Sequence, residues 1–285
     1  MPSRIRLSVL STATALVLAG CGAGAPPAPA APSAPTAPAD SAPAPAATAP
    51  AQTGLPAATA PAPSPESVLT AITDIDGGGA LSYDVENGSK IHYWHGLEFE
   101  ADGKRYYTGF AWFTPTKYGA DRTSGRIDPA AKVVLAHATY QASAPGAQTP
   151  WTWLGSEPYI GEFGHAEQGN AIDTTRKPQT FTAPSGQLVL ALPSTLAGDG
   201  GASPAYEVLV FNPHELKETK DRKWRYVGTL PAGSGTAAAP LAMVAVPGAD
   251  LPALQVGGGG NGAGGDKPTE YRYDLAHNTY RPISR

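Results

Sequence analysis

The sequence predicts an all-β fold: a single, mostly antiparallel β domain over residues 66–285, arranged as a sandwich or a small propeller-like set of sheets. Three observations predict it. Helical periodicity is nearly absent from these 220 residues. Short aliphatic and aromatic runs alternate with Gly, Pro, Asn and Asp, as strands alternate with turns. All 23 aromatic residues lie after Thr73, the first being Tyr83, so everything able to fill a large core sits in this part of the chain.

The elements follow in order. Ser64-Pro65-Glu66 suits the start of a short helix through Ile72, with Ser as N-cap and Pro in the first turn. From Leu81 to Phe113 the dipeptides Asn87-Gly88 and Asp102-Gly103 separate candidate strands; both tolerate the positive φ of tight hairpin turns. Further strands are predicted over 132–138, 151–155, 187–192, 206–211, 223–230, 241–246 and 270–274, with a helical turn or two within 212–223.

Two echoes suggest internal duplication. Val133-Val134-Leu135 precedes Trp151-Thr152-Trp153-Leu154-Gly155, and Val208-Leu209-Val210 precedes Trp224-Arg225-Tyr226-Val227-Gly228, the closing glycines lying 73 residues apart. Asp76-Gly77, Val85, Phe99 and Tyr106 recur as Pro247-Gly248, Val256, Tyr273 and Tyr280 at offsets of 171 to 174. Repeated β units fit a duplicated sheet, and shared β composition accounts for two copies equally well.

Residues 1–20 have the three parts of an export signal: Arg4 and Arg6, an apolar run too short to span a bilayer, and small residues before Cys21. Leu18-Ala19-Gly20-Cys21 closely resembles the lipobox of bacterial lipoproteins. The resemblance implies that Cys21 becomes the first mature residue and carries the acyl chains. Two or more chains hold firmly, at ~0.8 kcal/mol per buried CH₂. Gly22, in place of an inner-membrane-retaining Asp, implies the outer membrane, with the domain in the periplasm or at the cell surface. Residues 21–65 form the lipidated cysteine and an Ala/Pro-rich linker with one charge, Asp40, after the signal. Such a composition favours extended polyproline II over packing.

Composition excludes several functions. Cys21 is the only cysteine, so the domain has no disulfide, cysteine metal site or cysteine nucleophile. The formal charge of −4 becomes −6 once Arg4 and Arg6 leave with the signal. No Lys/Arg run appears, which argues against nucleic acid as a partner.

Asp74-Ile75-Asp76-Gly77-Gly78-Gly79 is the nearest approach to a metal motif, with carboxylates at alternate positions before a glycine turn. It resembles the Asp-x-Asp-Gly-x-Gly calcium turns of FG-GAP and VCBS-type β-repeat proteins over about a dozen residues, with one acidic position replaced. Calcium on Asp74, Asp76 and Asp84 is the one cofactor suggested, and a metal-free glycine turn is the simpler reading. His92 and His95 on a regular strand would face opposite ways, which disfavours a shared zinc. The remaining histidines read as ordinary hydrogen-bonded residues. Gly201-Ala202-Ser203-Pro204-Ala205 departs from the serine-hydrolase elbow in its last residue and in the strand that follows. Glu98 and Glu100 share a strand face but flank a turn, where solvent-facing acids are routine. The glycine-rich segment 257–267 lacks the Ser or Thr and the helix of a phosphate loop.

No catalytic motif remains. The expectation is a non-enzymatic binding protein contacting a periplasmic protein partner or peptidoglycan through loops and aromatics, with Trp94, Tyr106, Trp112, Asn261 and Asp266 as candidate contacts. Of the adjacent pair Tyr106 and Tyr107, one is expected at the surface. Lipobox, tether and β domain together resemble lipoprotein immunity proteins that neutralise envelope-degrading toxins and, more loosely, periplasmic lysozyme inhibitors. A polysaccharide-binding structural lipoprotein and an envelope hydrolase are the rival readings.

Overall fold

The computed structural model describes residues 61–85, 88–115, 128–196, 201–216, 221–233, 237–257 and 267–283, all within the unit Pro56–Arg285. Cys21, the export signal, the linker up to residue 60, Asn87, Asn261 and Asp266 lie outside the described residues.

The described residues form a mostly antiparallel β fold of three open sheets and one helix. The helix, α1 (Pro65–Thr73), starts where Ser64 accepts the Ser67 N–H and ends at Asp74, whose left-handed backbone (φ 58°) closes the last turn. Sheet 1 runs in sequence order through β1 (Ser82–Asp84), β2 (Lys90–Ala101), β3 (Lys104–Phe113), β4 (Val133–Ala142) and β5 (Trp151–Phe163). Sheet 2 is built from β6 (Ala171–Ile172), β7 (Gln179–Thr182), β8 (Leu188–Leu196), β9 (Ser203–Phe211) and β10 (Trp224–Pro231). Its order is β10-β9-β8-β6, with β7 also on β8. Sheet 3 is the meander β11 (Leu241–Val244), β12 (Ala253–Val256), β13 (Thr269–Asp274) and β14 (Thr279–Pro282).

Sheet 2 is the middle layer. Leu188, Leu190, Leu192, Leu209 and Phe211 pack toward sheet 1, against Phe110, Leu135 and Phe163. The intervening Val189, Ala191, Val208 and Val210 pack toward sheet 3, against Leu254, Val256 and Tyr280. A strand buried on both faces has no polar face to alternate, so β8 and β9 read as continuous apolar runs. The outer face of sheet 1 is covered by α1, through Val68 on Tyr107 and Ala138 and through Leu69 on Ile91 and Ala111. Both faces of β3 are therefore buried, and Tyr106 and Tyr107 are 1% and 5% exposed. Neither is the surface contact expected of one of them.

The predicted strands are present, and Asp102-Gly103 forms the β2–β3 turn with φ of 50° and 68°. The helical turn expected within 212–223 is absent from its described residues. β6, β7, β12 and β14 were not separately foreseen. Ser203 opens β9, so no nucleophile elbow exists there.

Both echoes correspond to pairings. In β5 and in β10 the ladder slips at the residue before the closing glycine. Trp153 pairs with Tyr140 and Gly155 with Thr139, as Tyr226 pairs with Leu209 and Gly228 with Val208. Leu154 and Val227 are the extra residues of two bulges, and Gly155 (φ 147°) and Gly228 (φ 128°) supply the positive φ beside them. The second echo marks cross-strand aromatic pairs: Phe99 with Tyr106 across β2–β3, and Tyr273 with Tyr280 across β13–β14.

Candidate functional site

β5, β10 and β14 each form one edge of their sheet, and they meet around a cleft of about 660 Å³. That volume is in the range of small-ligand sites. Its wall includes Tyr159, Gly161, Asn170, Tyr226, Thr229 and His277.

Local sequence shapes each wall. On β5, Leu135 pairs with Gly161 and His137 with Glu157, so Pro158-Tyr159-Ile160 oppose Ala136 alone. Pro158 has no N–H to give the ladder. The swelling turns Ile160 inward (6% exposed) and Tyr159 outward (54%). Gly161 then lets β10 approach: a Cβ there would meet the Tyr226 Cβ at 2.7 Å. On β10, the bulge at Val227 changes the side-chain parity, so that Tyr226 and Thr229, three apart, both reach Glu207 on β9.

Glu207 is the organising group behind the cleft. It is fully buried, yet each carboxylate oxygen accepts two hydrogen bonds. Oε1 receives Asn170 Nδ2 and Ser194 Oγ, each at 2.8 Å. Oε2 receives the Tyr226 hydroxyl at 2.7 Å and Thr229 Oγ1 at 2.8 Å. Burial pushes its pKa up, and the four hydrogen bonds oppose that rise. Three of these donors, Asn170, Tyr226 and Thr229, also line the cleft. The wall is therefore fixed before any ligand arrives, which lowers the entropy cost of binding.

A second polar cluster lies in the same interface. His137 is fully buried, with Nε2 donating to Glu157 at 2.9 Å and Nδ1 accepting from Thr139 at 3.0 Å. Desolvation holds its pKa below the ordinary histidine value. Trp224 Nε1 donates to Thr108 and Thr139. This is the hydrogen-bonded histidine read from the sequence.

The sequence candidates are dispersed. Trp94 and Trp112 are partly buried against the core with Tyr106; Trp94 Nε1 donates to the Asn170 carbonyl and Trp112 stacks on His92 at 3.9 Å. Large exposed aromatic surface belongs instead to Trp153 and Tyr159 on β5. Asp74 caps α1, Asp76 Oδ1 accepts the Gly78 N–H, and both edge a shallow cavity beside Trp153. Asp84 sits on β1, 3.9 Å from Lys90. Among the described residues no three His, Cys, Asp or Glu side chains form a metal-binding group. A bulge at Trp94 pairs His92 with Trp112 and His95 with Phe110, so the two histidines share a face, contrary to the regular-strand expectation. Glu98 binds Arg105 at 2.9 Å, as a turn-flanking acid does.

Glu207 was missed, although the signal was there: a lone acid inside the apolar run Tyr206–Phe211 has to be saturated with donors. One acid–base pair does border the cleft. His277 Nδ1 lies 2.6 Å from Asp274 Oδ2 on the β13–β14 turn. No family model, curated protein or solved structure matches this chain.

Proposed function

We propose that the chain is an outer-membrane-anchored periplasmic lipoprotein that acts as a non-enzymatic binding protein, holding a protein partner along the β5 edge and the cleft beside it. The observation that carries this reading is the cleft itself, whose wall is set by the Glu207 network while Tyr159 stands exposed on β5. Trp153, also on β5, is 56% exposed, and Trp and Tyr are the residue types that dominate binding energy at protein interfaces. Edge strands also offer unpaired backbone groups to a partner. Lipidation at Cys21 would confine partner and domain to one surface and raise their effective concentration. An immunity or inhibitor role against an envelope-degrading enzyme fits this arrangement, and peptidoglycan is the alternative occupant.

The test is affinity capture from periplasmic extract with the full chain, compared with Tyr159→Ala and Trp153→Ala. The expected result is a partner retained by the wild type, released by the variants and inhibited while bound. Equal retention by all three chains overturns the site. Mass spectrometry of the mature chain tests the anchor: a free thiol on Cys21 removes it.

A second reading, an envelope hydrolase, is favoured by the His277–Asp274 pair at the cleft rim. The pair lies on an exposed turn, with the His277 side chain 55% exposed. Turnover of purified peptidoglycan that is lost in His277→Ala would establish it.

A further inference from the structure

A separate cavity of about 510 Å³ lies between sheets 2 and 3, with Arg225, Gln187, Tyr273 and Leu275 among its lining residues. We infer that it binds the carboxylate of a ligand that also carries an apolar group, with Arg225 as the anchor.

The argument begins with how Arg225 is held. Its Nη1 donates to the Tyr273 hydroxyl and to Asn278 Oδ1, both at 3.0 Å, and its Nη2 donates to Gln187 Oε1 at 3.3 Å. All three acceptors are neutral. Among the described residues no carboxylate pairs with this guanidinium, unlike Arg105, Arg176 and Arg272. A guanidinium has five N–H donors. Three are used, and Nε–H and one Nη2–H are left over. Two donors on one planar group suit a two-point contact with a carboxylate. Fixing the group beforehand removes the rotamer cost that a flexible cation would incur.

The rest of the cavity completes the match. Leu275 is 82% exposed, the most exposed large hydrophobic among the described residues, and Leu251 supplies a buried apolar surface nearby. Arg272 adds a second cation, paired with Glu270 at 2.7 Å. Asp250 lines the same cavity, but its carboxylate is engaged by the Ser185 N–H and hydroxyl. A short peptide ending in an apolar residue, or a small branched acid, has the required chemistry. The cavity shares no lining residue with the cleft, although Asn278, which lines the cleft, accepts a hydrogen bond from Arg225.

Calorimetry of the full chain in detergent tests this with three probes: acetyl-alanyl-leucine, its C-terminal amide, and isovalerate. The peptide acid is expected to bind and the amide to fail. Tighter binding of the peptide than of isovalerate assigns a peptide C-terminus, and the reverse assigns a free acid; either supports the site. Arg225→Gln and Arg225→Lys should each weaken the acid at least about tenfold with an unchanged circular dichroism spectrum, since Lys keeps the charge but loses the fork. Equal binding of acid and amide, full affinity in Arg225→Lys, or no heat from either acid at millimolar concentration overturns the proposal.

Discussion

The two faces of sheet 2 carry different interfaces built from the same two strands. Toward sheet 1 the contact is aromatic and wet with hydrogen bonds. Phe99, Tyr106, Phe110, Phe211 and Trp224 meet edge-to-face, tilted or stacked with centroids 5.0 to 5.5 Å apart, and Glu207 and His137 are buried in the same interface. Toward sheet 3 the contact is mostly aliphatic, from Val189, Ala191, Val208, Val210 and Leu254, and no buried charge lies in that cluster. The difference is written in size. Along Leu188-Val189-Leu190-Ala191-Leu192 and Val208-Leu209-Val210-Phe211 the larger residue of each neighbouring pair faces sheet 1. Within these apolar runs it is volume that tells the two faces apart. The polar interface opens into the cleft, and the aliphatic one holds sheet 3 and, through Leu251, borders the Arg225 cavity.

The largest effect is expected at the aromatic interface. Trp224→Ala should cost ~3–5 kcal/mol in urea unfolding, through its volume and the loss of its Nε1 hydrogen bonds to Thr108 and Thr139. Next comes Glu207→Leu, which leaves four donors without their acceptor and should cost about 3 kcal/mol. If that variant were neutral, the network would be incidental to the fold. On the aliphatic side, Val210→Ala should cost roughly 2 kcal/mol and leave partner binding untouched.

A smaller effect concerns pH. The folded pKa of His137 lies below its ordinary value because burial disfavours the charged form. The unfolded chain then binds more protons, so stability rises with pH and is lost as pH falls from about 6.5 toward the depressed folded value. Thermal melts between pH 5 and 7 should show this slope in the wild type and a flatter one in His137→Gln. The smallest effect on stability, within about 0.5 kcal/mol, is expected for Tyr159→Ala, because the side chain is 54% exposed.

These contrasts also explain what could be read from the sequence. Turn residues and apolar runs place the strands, because Asp102-Gly103 and the runs at β8 and β9 act locally. The Trp-x-aromatic-aliphatic-Gly echo marks both bulges. The consequence of a bulge is not local, however: it reverses which face the following residues take. That reversal brings Tyr226 and Thr229 onto Glu207 and puts His92 and His95 on one side. Aromatic richness between Tyr83 and Tyr118 suits core packing first and binding surface second, and a helix on one face and a sheet on the other make most of the described aromatics core. Exposure fell instead to Trp153 and Tyr159, on an edge strand whose position depends on sheet order. The cleft was illegible for the same reason, since its three edge strands come from three different sheets.

The most direct test sets the two interfaces against each other in one capture experiment from periplasmic extract, using the wild type, Tyr159→Ala and Val210→Ala. The account predicts that Tyr159→Ala loses the partner at an unchanged melting temperature, while Val210→Ala melts earlier and keeps it. Retention by Tyr159→Ala, or loss by Val210→Ala well below its melting temperature, would contradict the assignment of binding to the β5 edge and its cleft.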